Sequence, residues 1–144
     1  MQLSLKTDYA LRILMVLAAA DEVRSVDWIA EHYGISRNHL AKVAQHLASA
    51  GFVETVRGRG GGMRLALAPE DINVGAVVRD LERFEGFVAC MGARSGCGID
   101  GRCGLKPVLG GALDAFLGHL DGYTLADIIA DRRAMLSRFH AEPA

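Results

Sequence analysis

Ile35-Ser36-Arg37-Asn38-His39-Leu40-Ala41-Lys42-Val43-Ala44-Gln45-His46-Leu47 is the stretch on which the fold turns. Leu40, Val43, Ala44 and Leu47 recur at three- and four-residue steps and predict one apolar helical face. Arg37, Asn38, His39, Lys42 and Gln45 fall on the other faces, and Ser36 stands where an N-cap is expected. Just upstream, Ser25-Val26-Asp27 starts a shorter helix carrying Trp28, Ile29 and Tyr33, which Gly34 ends as glycine commonly does after a helix. Gly51 closes the longer helix. A short helix, a glycine turn and a longer helix with a polar N-terminal half make up the helix-turn-helix pattern.

The residues that follow sharpen this reading. Gly51-Phe52-Val53-Glu54-Thr55-Val56 and Met63-Arg64-Leu65-Ala66-Leu67 alternate as strands do. Between them Arg57-Gly58-Arg59-Gly60-Gly61-Gly62 predicts a hairpin tip with two arginines on a backbone able to approach another molecule closely. A hairpin directly after the third helix is the wing of a winged helix. Its arginines are suited to phosphates or a minor groove. The whole chain carries a net charge of −1, yet residues 36–66 hold Arg37, Lys42, Arg57, Arg59 and Arg64 against Glu54 alone. Such a local excess is the footprint of a nucleic-acid-binding face.

Outward from this core, Thr7 and Asp8 are expected to cap a helix over residues 9–20, with Leu11, Leu14, Met15 and Ala18 as its apolar stripe. Pro69 closes the hairpin, and Val74, Val77, Val78 and Leu81 place another helix over residues 73–84. From Leu105 onward Val108, Leu109, Ala112, Leu113, Phe116, Leu117 and Leu120 form a stripe wide for so small a domain to cover, which predicts a second subunit. Leu125, Ile128, Ile129 and Leu136 suggest a final helix or two. The fold class is therefore mainly α with a small β-hairpin wing. It divides into a winged helix-turn-helix region (1–70), a connecting helix and cysteine loop (71–104) and a long dimerisation helix with a tail (105–144).

All three cysteines lie in one glycine-rich loop, Cys90-Met-Gly-Ala-Arg-Ser-Gly-Cys97-Gly-Ile-Asp-Gly-Arg-Cys103. An odd number of thiols argues against a disulfide framework, and the start of the chain lacks the apolar run of a signal peptide. The intervals of six and five residues are looser than the knuckles of most structural zinc sites and suit an iron–sulfur cluster. No stretch offers the roughly 20 apolar residues of a membrane span, and the cysteine usage points to the cytoplasm. No nucleophile–base pair, phosphate loop or paired catalytic carboxylate is visible, so an enzyme is not expected; Gly60-Gly61-Gly62 lacks the context of a dinucleotide site.

Taken together, Leu3, Lys6-Thr7-Asp8-Tyr9-Ala10-Leu11, Ile35-Ser36-Arg37-Asn38-His39-Leu40, Arg57-Gly58 with Gly61-Gly62, Leu65, Pro69 and the three cysteines resemble the bacterial winged-helix regulators of the NsrR/IscR family. The likeness spans nearly the whole chain and weakens after about residue 131. It implies a homodimeric repressor of double-stranded operator DNA, each subunit holding an iron–sulfur cluster, [4Fe–4S] favoured over [2Fe–2S], through Cys90, Cys97 and Cys103. The IscR-like branch has a histidine ligand three residues after the third cysteine. Lys106 occupies that position here, and its ammonium has no lone pair to donate. The NsrR-like branch recruits an aspartate near the N-terminus, and Asp8 matches it; Asp100 and Glu85 are further carboxylates near the loop. The resemblance thus implies a sensor of nitric oxide that releases DNA when its cluster is nitrosylated or lost. A sensor of iron or redox state is the alternative, and an iron–sulfur electron carrier a remoter one. Ser36, Arg37, Asn38, His39 and Lys42 are the candidates for groove contact, and Arg57, Arg59 and Arg64 for backbone or minor-groove contact. His119 and His140 are weaker candidates for metal.

Overall fold

A computed structural model describes residues 2–92 and 96–140 of the chain. The first helix, α1 (Leu5–Ala20), begins earlier than Thr7 and Asp8 suggested, because Ser4 is its N-cap and accepts a hydrogen bond from the Thr7 amide. Thr7 is instead buried, its hydroxyl 3.2 Å from that of Ser4. Asp8 lies within the first turn, so neither residue caps the helix. α1 runs through the middle of the molecule: Ala10, Ile13, Leu14 and Val16 are sealed from solvent and Leu17 nearly so. Each buried aliphatic side chain of this kind contributes about 1.5–3 kcal/mol.

Around α1 pack α2 (Val26–Tyr33), α3 (Arg37–Ser49) and a hairpin of β1 (Val53–Val56) and β2 (Gly62–Leu65). Their buried residues Ile29, Leu40, Leu47, Val53 and Met63 join one core with Ile72, Val77 and Leu125. The hairpin is antiparallel with Val53 opposite Leu65 and Val56 opposite Gly62. A third segment supports it, for Arg24 and Met63 exchange both backbone hydrogen bonds at 3.0 and 2.9 Å. Gly62 is required there, because a Cβ at this position would sit 2.3 Å from the Arg24 carbonyl oxygen.

Beyond a 3-10 turn at Pro69–Asp71 comes α4 (Val74–Leu81), with Asn73 as its N-cap. It stops short of residue 84, for the backbone turns extended at Glu82, whose side chain accepts the Ser4 amide at 2.6 Å. The chain then passes through the cysteine loop into α5 (Leu105–Asp121), α6 (Leu125–Ile128) and α7 (Arg132–His140). Along α5 only Leu117 is buried, whereas Leu105 and Val108 stand 60% and 65% exposed. The apolar stripe therefore has an open side. Arg132 donates to the Ala19 and Ala20 carbonyls at the end of α1, which ties α7 back onto the core. Among the described residues no helix is long and apolar enough to cross a membrane.

Candidate nucleic-acid interface and cysteine loop

The recognition surface is built from its caps upward. The Ser25 hydroxyl accepts the Trp28 amide at the start of α2, and Gly34, at φ +63°, provides the left-handed residue that ends it. Ile35 returns its amide to the Ala30 carbonyl at 2.9 Å, which locks the turn. From there α3 buries Leu40, Val43, Ala44 and Leu47 and leaves Ser36, Arg37, Asn38, His39 and Lys42 exposed. Ser36 occupies the N-cap position as expected, but its hydroxyl makes no capping bond and is open to a ligand. The exposed residues share one end of α3, and that end can enter a major groove.

At the wing, Gly58 and Gly60 take φ values of +100° and +75°, a region costly for side-chain-bearing residues, so the tip stays narrow. Arg57 and Arg59 project from it, exposed, and neither is in an ion pair among the described residues. Arg64 differs. It sits directly opposite Glu54 in the hairpin and pairs with it at 2.5 Å. Arg37 likewise donates its Nε to Asp27 of α2.

A groove of about 350 Å³ lined by Leu5, Lys6, Tyr9, His39, Lys42 and Val43 separates the first turn of α1 from α3. Asp8, next to it, pairs with Arg12 at 3.0 Å, and both side chains are roughly two-fifths exposed. Arg12 also lies over the ring of Tyr33, 5.5 Å from its centre. Burial pushes the Tyr33 phenol up to about 12, against the opposing effect of Arg12. His46 bridges three helices, with Nδ1 3.3 Å from the Lys6 ammonium and Nε2 2.7 Å from the Asp80 carboxylate.

In the loop, Cys90 is half-buried in a 3-10 turn at Ala89–Met91, Cys97 is exposed, and Cys103 is half-buried one residue before the N-cap of α5. All three are free thiols. The Asp100 carboxylate accepts from Lys106 at 2.7 Å and from the Gly101 amide at 3.0 Å, and it holds the lysine above its ordinary range. Lys106, unfit to ligate, is paired with Asp100 at the start of α5. Among the described residues no three of His, Cys, Asp and Glu are gathered closely enough to hold a metal. Glu85 is exposed, and Asp100 is already engaged by Lys106. His119 lies against Tyr123, 5.2 Å between ring centres, and the His140 side chain lies outside the described residues.

The donor set fits a soft centre chemically, since three free thiols share one loop. The Asp27–Arg37 and Glu54–Arg64 pairs escaped sequence reasoning, although the ten-residue separation across a short hairpin was a usable signal for the second.

Residues 3–131 match the family model described as "Rrf2: Iron-dependent Transcriptional regulator". The chain is 48% identical to the HTH-type transcriptional regulator NsrR of Bacillus subtilis over 94% of its own length and 95% of the relative's. It is 42% identical to NsrR of Halalkalibacterium halodurans over 99% of its length and all of the relative's. Among solved structures it resembles T. potens IscR, with a TM-score of 0.73 and 31% identity over 91% of this chain and 88% of that one. It also resembles the global cysteine regulator CymR of B. subtilis, with a TM-score of 0.72 and 27% identity over 90% and 97%.

Proposed function

We infer the function of this chain from the Rrf2 family of iron-dependent transcriptional regulators, to which it belongs, and propose an iron–sulfur repressor that releases operator DNA in response to nitric oxide. The observation that carries the reading is the pairing, in one chain, of an exposed winged helix-turn-helix with three free thiols on one loop. Cys90, Cys97 and Cys103 hold the cluster, of the [4Fe–4S] type. Asp8 of the partner subunit would complete its ligand set. The open side of α5, with Leu105 and Val108, forms the dimer contact. When bound, the cluster would supply an iron that a carboxylate oxygen from Asp8 holds less firmly than the thiolates of Cys90, Cys97 and Cys103 hold the others, and so one open to nitric oxide.

The chain's own residues then do the rest. Ser36, Arg37, Asn38, His39 and Lys42 read the major groove, and two such helices in a dimer reach successive grooves about 34 Å apart. Arg57 and Arg59 at the wing tip contact phosphate or the minor groove, and Arg64 must share its guanidinium with Glu54 to join them. The three functional parts are the winged region (1–70), the connecting segment and loop (71–104) and the assembly segment (105–144). Coupling follows from the position of Asp8: its turn and α3 line the same groove, so tying or freeing that turn displaces the recognition helix.

Anaerobic purification of the full chain, with iron and sulfide counts and an absorption spectrum, tests the reading. The expected result is four irons and four sulfides per chain in the wild type. Asp8→Ala should retain a cluster with an altered spectrum and an altered rate of reaction with nitric oxide. A colourless protein with one zinc per chain would defeat the proposal.

A further inference from the structure

Arg37 is the first residue of α3, and its guanidinium has a carboxylate partner on α2. Its Nε donates to Oδ1 of Asp27, in the first turn of α2, although both side chains are about two-thirds exposed. An exposed pair of this sort contributes little to folding. It also places a carboxylate at the edge of a surface that must face phosphates, where a negative charge lowers affinity for any DNA. Its geometry nevertheless leaves one edge of the guanidinium available. With Nε committed, the two terminal amino groups still offer a planar end-on fork of donors. That fork matches the O6 and N7 acceptors of guanine.

We propose that Asp27 is a specificity-determining positioning residue: it fixes the Arg37 guanidinium for end-on reading of a guanine and disfavours every other duplex through its own charge. The inference rests on the reading of this chain as an operator-binding protein. Asp27 opposes phosphate everywhere, and the loss is recovered only where a guanine meets the oriented fork. Specificity is a difference of affinities, and a repulsive element on the contact surface widens that difference.

The sign of the effect separates this role from a structural one. The probe is the duplex that the cluster-loaded, full-length wild type enriches from a random-sequence pool, compared with a scrambled duplex of equal length. Asp27→Ala is expected to bind the enriched duplex about tenfold more weakly, the size of one lost bidentate base contact. It should bind the scrambled duplex more tightly, because a carboxylate has left the surface. Asp27→Asn keeps an acceptor for Nε, so it should preserve the sequence preference of the wild type while still gaining on the scrambled duplex. In an Arg37→Ala background, Asp27→Ala should no longer weaken binding to the enriched duplex. A ratio of the two affinities unchanged in Asp27→Ala, with unchanged melting temperature, would overturn the inference and leave the operator-binding reading intact. A parallel fall on both duplexes together with a lowered melting temperature would assign Asp27 to folding alone and overturn it equally. Failure of the wild type to enrich any sequence would overturn the operator-binding reading, and this inference with it.

Discussion

The recognition region and the cysteine loop are held in place by different physics. From α1 to β2 the chain is pinned by a shared core, by two serine caps and by a left-handed glycine turn; Ile13, Leu14, Ile29, Leu40 and Leu47 are fully sealed. Residues 82–104 include no buried residue among those described, and Cys97, Ile99 and Asp100 are all exposed. Ordering backbone costs about 1–2 kcal/mol per residue, and here almost no apolar burial offsets it. The reader of DNA is therefore built by folding alone. Residues 82–104 are held by local turns, by the Asp100–Lys106 pair and, at their start, by the Glu82–Ser4 contact.

The widest separation between the regions should come from opposing substitutions. Leu14→Ala opens a cavity under α1 and should cost about 2–5 kcal/mol in urea unfolding of the metal-free chain. Cys90→Ala, Cys97→Ala and Cys103→Ala should each change that stability by less than about 0.5 kcal/mol and yet abolish iron and sulfide incorporation. A cysteine variant that unfolds, or one that retains the full cluster, would break the contrast.

A smaller effect is expected where the wing meets Arg24. Gly62→Ala forces a methyl against the Arg24 carbonyl, so the backbone pairing must open, at about 1–3 kcal/mol. Protease sensitivity of the hairpin would report it directly. Helix caps give a finer test. Ser25→Ala removes a bond to the Trp28 amide and should cost about 1 kcal/mol. Ser36→Ala, at an N-cap whose hydroxyl bonds nothing in the helix, should leave stability nearly unchanged and affect DNA binding alone.

The smallest effect is a pH dependence at the seam between the regions. Burial would raise the Glu82 carboxyl, but hydrogen bonds from Thr7 and Ser4 outweigh it and hold the group below its usual 4.5. A carboxylate lowered in the folded state stabilises above its unfolded value, and that contribution is lost as pH falls through the folded one. Glu82→Gln should therefore melt with a flatter pH profile below about pH 4.5 than the wild type, and match its slope near neutrality.

Much of the reading region was legible because its signals are local. Ser25, Gly34, Gly51 and the alternation on either side of Arg57–Gly62 specify caps, turns and strands within a few residues of themselves. The start of α1 was misread for a physical reason. Thr7 and Asp8 are good cap residues preceding an apolar stripe, but Ser4 reaches the Thr7 amide first, while Leu5 lies outside the stripe and is exposed. The Arg24–Met63 bridge, the Asp27–Arg37 pair and the Glu82–Ser4 contact join residues remote in sequence, and no periodicity announces them. The cysteine loop was legible as chemistry but not as geometry, since among the described residues its thiols are not gathered into a metal site.

The central claim is that the state of the loop governs the affinity of α3 for DNA. Fluorescence anisotropy on the enriched duplex, with the anaerobically purified chain titrated by nitric oxide at fixed salt, measures that coupling directly. The account predicts a loss of affinity of at least about tenfold, the scale of a typical coupling free energy, in step with bleaching of the cluster. Affinity that stays constant while the cluster is destroyed would contradict it.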